Sequence, residues 1–269
     1  MMDIKKIVRL EETRISSAVR EVAKYSMETE GGGVACRGEP GEWTNCAYGL
    51  GLNGPVSVDG FKKIIDYYRD HGIEPRLELN PFVGEETIRN CGEAGFQVKI
   101  FENVLYRLLS KDDVYCPLNG YPDGVEYRIT DNKNESELRT HCAVAMSGFI
   151  ENPTEEDFAT WKRMLQHPKI KAVAAWCEGK MVGAGAVEIH DEIAALISLS
   201  VLKEYRGRGI QQGLISKRLE MARAHGVKVA TIGSIAGAAT DRNVMRMGFQ
   251  IAYTKLIMIF PEKGLVGAL

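Results

Sequence analysis

The sequence predicts an α/β (α+β) chain made of two similar halves, each a mixed, mostly antiparallel sheet flanked by helices. Three observations lead there. A corner occurs twice without a gap: "RNCGEAGFQV" at 89–98 and "RNVMRMGFQI" at 242–251 share Arg-Asn, Gly-Phe-Gln and a closing β-branched residue. Apolar periodicity switches repeatedly between helical and strand spacing, so the two element types alternate along each half. Between the halves, "CPLNGYPDG" from Cys116 to Gly124 gathers prolines, glycines, Asn and Asp, the composition of a connection. The predicted division is therefore 1–116 and 124–269.

Taken in order, residues 8–29 read as a helix, and the region of "CAYGLGL" as a strand. "FKKIIDYYRDHG" reads as a helix with Phe61, Ile64, Ile65 and Tyr68 on one face and Gly72 as its stop. "IEPRLELN" is a short strand, "GEETIRNCGEAG" a helix and "FQVKIFENVLYRLL" a long strand. After the seam come the strand "VEYRIT" and helices near 134–147 and 154–166. The run from Ile170 to Leu202 alternates apolar and small residues and breaks at Glu178-Gly179-Lys180 and His190-Asp191-Glu192, which predicts three antiparallel strands. "GIQQGLISKRLEMARAHG" carries Ile210, Leu214, Ile215, Leu219 and Ala222 on one stripe. "VKVATIG" is a strand, "TDRNVMRMG" a short helix capped by Thr240 or Asp241, and "FQIAYTKLIMIF" the closing strand. The last five elements repeat the five that close the first half.

Hydrophobic residues at 45%, charged residues at 26% and a formal net charge of −2 are ordinary for a globular chain and point to neither a nucleic-acid nor an anionic-membrane partner. No apolar run reaches the roughly 20 residues of a spanning helix. The charged start "MMDIKKIVRLEETR" lacks a signal peptide's apolar segment, so a cytoplasmic setting is expected. The six cysteines show no CxxC and no His at ligand spacing, so reduced, packed thiols and no metal are expected. "WKRMLQ" and the tyrosine pairs, without a basic patch, read as core.

The chemistry concentrates in "VLKEYRGRGIQQGL". A strand ends, Arg206-Gly207-Arg208-Gly209 follows, and a helix begins at Ile210. Two glycines allow a tight turn and close approach, and the first amides of a helix have no internal partner. With the helix dipole and two arginines, this is a place for a phosphate or pyrophosphate; otherwise it is a glycine-rich turn with solvated arginines. A dinucleotide fingerprint fits poorly, because Lys203 to Arg206 separate strand from glycine and three antiparallel strands precede the loop.

"SLSVLKEYRGRGIQQGLI" resembles motif A of the GNAT superfamily of acyl-CoA-dependent N-acetyltransferases, (Gln/Arg)-x-x-Gly-x-(Gly/Ala), through Arg206, Gly209 and their spacing. Gln211 stands where the motif has a small residue. The resemblance covers roughly 125–260, and the whole chain looks like a tandem, two-domain member whose first half is degenerate. At the repeat offset, "NGPVS" (Asn53 to Ser57) faces "RGRGI": Pro55 has no N–H, and Val56 puts a side chain where a phosphate must approach.

The resemblance implies transfer of an acetyl group from acetyl-CoA to a primary amine by direct attack on the thioester, with no metal. It assigns the pyrophosphate to Arg206, Gly207, Arg208, Gly209, Ile210 and Gln211, and the pantetheine arm to backbone groups of Leu199, Ser200 and Val201. Asn243 either touches the arm or holds a helix end. Ser198 and Ser200 also suit a plain core strand. Glu188 is either the base or a solvated carboxylate beside a turn; His190 is the alternative base, or an exposed residue of that turn. Val244 occupies the position where many members place an acidic tyrosine, which leaves Tyr253 as a substitute donor or a packing residue. The acceptor is expected to be a small-molecule or peptide amine, and the chain a monomer or homodimer. The competing reading is a non-catalytic acyl-CoA-binding or sensing protein.

Overall fold

The computed structural model describes residues 2–267. The elements are α1 (Ile4–Val22), β1 (Tyr25–Glu28), β2 (Val34–Arg37), β3 (Cys46–Tyr48), α2 (Val58–Arg69), β4 (Arg76–Leu79), α3 (Glu85–Glu93) and β5 (Gln97–Leu108). They continue with β6 (Val125–Ile129), α4 (Glu135–Met146), α5 (Glu155–Leu165), β7 (Ile170–Cys177), β8 (Lys180–Ile189) and β9 (Ile193–Val201). A 3-10 turn at Lys203–Tyr205 precedes α6 (Ile210–Ala224), β10 (Val229–Ile235), α7 (Ala239–Arg246) and β11 (Gln250–Ile259). The repeated order is present: β3-α2-β4-α3-β5 answers β9-α6-β10-α7-β11.

Two local expectations change. The first helix ends at Val22, and Tyr25–Glu28, read as helical from the sequence, pair antiparallel with Val34–Arg37. The Gly-rich turn at 31–33 makes this hairpin possible, with Gly31 at φ +73° and Gly32 at φ +88°. Helix α7 begins after Ala238 without a side-chain cap; Asp241 instead accepts from the Gly237 amide at 2.9 Å.

The chain forms two compact units, Met1–Val104 with Ile251–Leu269, and Leu105–Gln250. These bounds differ from the seam expected at Cys116–Gly124 and from the 1–116 and 124–269 division. In the first unit, β1-β2-β3 form an antiparallel run, β3 lies parallel to β4, and β11 runs antiparallel beside β4 with Leu256 opposite Leu79. The last strand of the chain thus completes the unit that begins it. The core of this unit joins Phe61, Ile64, Tyr68, Leu77, Leu79 and Met258. In the second unit, β6-β7-β8-β9 are antiparallel and β10 is parallel to β9. Leu105 and Tyr115 belong to this unit's core with Val187, Ile215, Leu219 and Phe249, which is why the first unit gives up the chain before the seam. The seam itself rests on α6, where Gln212 accepts from the Leu118 amide and Glu220 from the Tyr121 hydroxyl.

The first unit also buries a charged network. Lys255 Nζ reaches Glu78 at 2.5 Å and Glu102 at 3.2 Å, and the Tyr253 hydroxyl donates to Glu12 at 2.5 Å. Burial, opposed by Lys255 and Tyr253, pushes the Glu12 carboxyl up to about 7 from 4.5. A raised folded-state pKa favours the protonated form in the fold, so its stabilisation is full below about 4.5 and is lost as pH rises through about 7. Thermal stability should therefore fall between pH 5 and pH 8, by about 3 kcal/mol if Glu12 acts alone. Glu12→Gln, which still accepts from Tyr253, should flatten that slope in melting curves.

Candidate active site

The loop after β9 has the form that its residue types demand. Gly207 and Gly209 take φ +77° and φ +81°, left-handed conformations that glycine adopts without a Cβ penalty. Gly209 is the N-cap of α6 and no side chain caps the helix, so its first amides keep the free donors that every helix start presents. A Cβ added at Gly207 or Gly209 would meet no protein atom within 4 Å, so the Cβ side of both glycines is open. Arg206 donates through Nε to the Val201 carbonyl at 3.0 Å, and the Arg208 guanidinium lies 5.5 Å from the Tyr205 ring centroid. Lys180 also faces that ring, at 5.4 Å, so three cations gather around the loop.

Gln211, the departure from the motif, turns its amide away from the loop. Its Oε1 accepts from Asn243 Nδ2 at 2.5 Å, and its Nε2 donates to Thr240 Oγ1 at 3.4 Å. Asn243 in turn accepts from Arg246 at 3.1 Å. The side chain therefore ties α6 to α7 while its own backbone amide stays at the helix start. Ile210 is buried beneath the loop with Leu214.

The corresponding helix start in the first unit is closed. Ser57 caps α2 through a 3.0 Å bond from the Gly60 amide, and its hydroxyl donates to the Glu30 carboxylate at 2.6 Å. The Val56 amide donates to Thr87 at 3.2 Å, and the Val56 side chain is wholly buried. An anion arriving there would meet a carboxylate at a helix end already capped.

Strand β9 carries the second half of the site. It pairs with β10 only from Ile193 to Ala195, opposite Val229 to Thr231, although β9 runs on to Val201 and β10 to Ile235. Leu199, Ser200 and Val201 thus lie where the two strands no longer pair. On the other side, Ala186 faces Ile197 and Ala184 faces Ser200, so β9 carries one extra residue, a β-bulge. Ser198 inside it has φ +57°, a conformation non-glycine residues adopt only when their surroundings hold it. Ser200 meets Ser147 of α4, Oγ to Oγ at 3.2 Å. Ser200 and Ala184 therefore face α4, and Gly183, beside Ile210 and Leu214, faces α6.

Glu188 follows two residues after Ala186 on β8 and is only 3% exposed, so the solvated-carboxylate reading does not hold. His190, two positions on and hence on the same side of the chain, meets it with Nε2 to Oε1 at 2.6 Å. The sequence offered these two as alternatives; the structure makes them a pair. Tyr253 belongs to the other unit, buried with its hydroxyl committed to Glu12, which removes support for its reading as a proton donor. Val244 packs in the core with Leu219 and Ile232. Arg218, which the sequence reading passed over, is wholly buried at this bulge.

Residues 137–249 match the model of the acetyltransferase (GNAT) family. No curated protein sequence matches the chain. Among solved structures, a GCN5-related N-acetyltransferase from Kribbella flavida is similar over 93% of this chain and 96% of its own, with TM-score 0.67 and 17% identity. A GCN5-related N-acetyltransferase from Sphaerobacter thermophilus has TM-score 0.63 and 16% identity, covering 83% of this chain and 74% of that one. A tandem GNAT protein from the clavulanic acid biosynthesis pathway has TM-score 0.59 and 14% identity, covering 84% and 76%. At these identities the likeness is one of fold.

Proposed function

We propose that this protein, whose residues 137–249 match the model of the acetyltransferase (GNAT) family, moves an acetyl group from acetyl-CoA to a primary amine of a small molecule or peptide. The observation that carries this reading is the open, uncapped start of α6 behind two left-handed glycines. Free amides, the helix dipole, Arg206 and Arg208 suit a pyrophosphate there. Acetyl-CoA supplies an activated acyl carbonyl when bound. Backbone groups of Leu199 to Val201, beyond the end of the β9–β10 ladder, are suited to an amide-bearing arm. Asn243 acts indirectly, by holding Gln211 and so the first turn of α6.

An alkylamine is mostly protonated near neutral pH and must lose a proton before it can attack a carbonyl. Glu188, buried and bonded to His190, is the proposed acceptor of that proton, directly or through water, and the half-buried His190 would pass it outward. The first unit, with its closed helix start, is proposed as a degenerate domain without a cofactor cradle, and the cytoplasm as the setting.

Calorimetric titration with acetyl-CoA should give one site per chain; two equivalent sites would refute the single-cradle reading. A panel of amines with acetyl-CoA, followed by release of free thiol, should show turnover. Binding without turnover across the panel would favour a sensing role. With an active amine, Glu188→Gln should lower kcat by about 100-fold while leaving acetyl-CoA binding intact.

A further inference from the structure

Arg218 lies on the apolar stripe of α6, wholly buried, with no ion pair to a carboxylate among the described residues. Its Nε donates to the Leu214 carbonyl at 3.0 Å. Its Nη1 donates to the carbonyls of Ala186 at 3.1 Å and Ile197 at 3.2 Å, while Nη2 has no partner. Burial alone pulls the guanidinium down to about 9. An apolar residue of similar length would avoid this desolvation, so packing does not explain the arginine.

Its position does. Ala186 and Ile197 face each other at the edge of the β-bulge, and the next residue, Ser198, takes the left-handed conformation. Gly185, skipped in the register, gives the guanidinium its room: a Cβ there would lie 3.2 Å from Arg218 Cζ and 3.3 Å from Leu199 Cδ1. A side-chain-free residue, a buried cation and a left-handed serine thus form one device. We propose that Arg218 is a positioning residue for acyl transfer: by holding the Ala186 and Ile197 carbonyls it keeps the Ser198–Leu199 backbone in the bulged conformation, and this proposal assigns the acyl carbonyl to the amides of that bulge. This rests on the acetyl-transfer reading above. It assigns Arg218 no contact with the reacting atoms.

The test compares wild type with Arg218→Met, Arg218→Lys and Gly185→Ala. The readouts are CoA and acetyl-CoA affinity by calorimetry, the 13C shift of the bound carbonyl of [1-13C]acetyl-CoA, and kcat and KM with an active amine. Arg218→Met should bind CoA within about twofold of wild type, because the loop at the helix start is untouched. The wild-type bound carbonyl should be displaced from that of free acetyl-CoA; Arg218→Met should lose that displacement, and kcat should fall by about 100-fold or more with KM for acetyl-CoA little changed. Arg218→Lys, able to reach one carbonyl, should recover part of both. An Arg218→Met chain with wild-type carbonyl shift and kcat overturns the proposal, as does one that loses CoA affinity in proportion to activity. If Arg218→Met does not fold, Gly185→Ala carries the test, since its methyl, 3.2 Å from Cζ, presses the guanidinium off its two carbonyls by a few tenths of an ångström: the same split, smaller in size, supports the proposal and wild-type values overturn it. A wild-type chain that binds no acetyl-CoA sinks the acetyl-transfer reading and this proposal together; wild-type binding with an indifferent variant sinks this proposal alone.

Discussion

Gly209→Val should abolish measurable acetyl-CoA binding, a loss of at least about 100-fold in affinity, while the chain still folds. A Cβ at Gly209 meets no protein atom within 4 Å, so the fold has room for it, and the side chain is expected to compete with the proposed pyrophosphate. The variant also carries a conformational cost, because Gly209 stands at φ +81° and a Cβ there costs about 1–2 kcal/mol. That should lower the melting temperature by roughly 3–8 °C. Gly226, at the other end of α6 with φ +78° and equally open space, separates the two effects. Gly226→Val should show a similar melting shift with unchanged affinity. Equal affinity in both variants would mean that the loop is only a turn.

The second large effect concerns where the chain can be cut. A fragment 117–269, divided at the seam suggested by composition, should be insoluble or unfolded. It lacks Leu105 and Tyr115, which are buried in the core of the second unit, each worth about 2 kcal/mol or more. It also carries β11 without β4, its antiparallel partner, leaving Leu256–Ile259 as an unpaired edge. A fragment 105–250, although shorter, keeps a complete unit and should melt cooperatively at a higher temperature than 117–269. The same or a higher melting temperature for 117–269 would show that compactness follows the seam after all.

Much of the site was legible in the chain. Arg206 to Gln211 announced an open helix start because glycine, strand end and amphipathic helix follow one another locally, and the structure keeps each of those features. Pro55 and Val56 likewise announced a closed one, since the lack of an N–H and the presence of a branched side chain are properties of the residues themselves. The Glu188–His190 pair left a signal that went unused: spacing of two on a strand puts both side chains on one face. So did Arg218, a charge at a position of the α6 stripe otherwise filled by Leu214, Ile215 and Leu219.

Local residue order thus determined most of the helices and strands, though not the β1–β2 hairpin, and which helix start lacks a side-chain cap. It could not determine which strand β11 joins, because strand pairing depends on partners far along the chain and every apolar strand offers the same backbone groups. The exchange that places β11 beside β4, the parting of β9 from β10 beyond Ala195, and the grip of Arg218 on two carbonyls were decided only by packing. Each arises from separate segments competing for one buried space, where the cost of an unpaired polar group or an unfilled volume selects the arrangement.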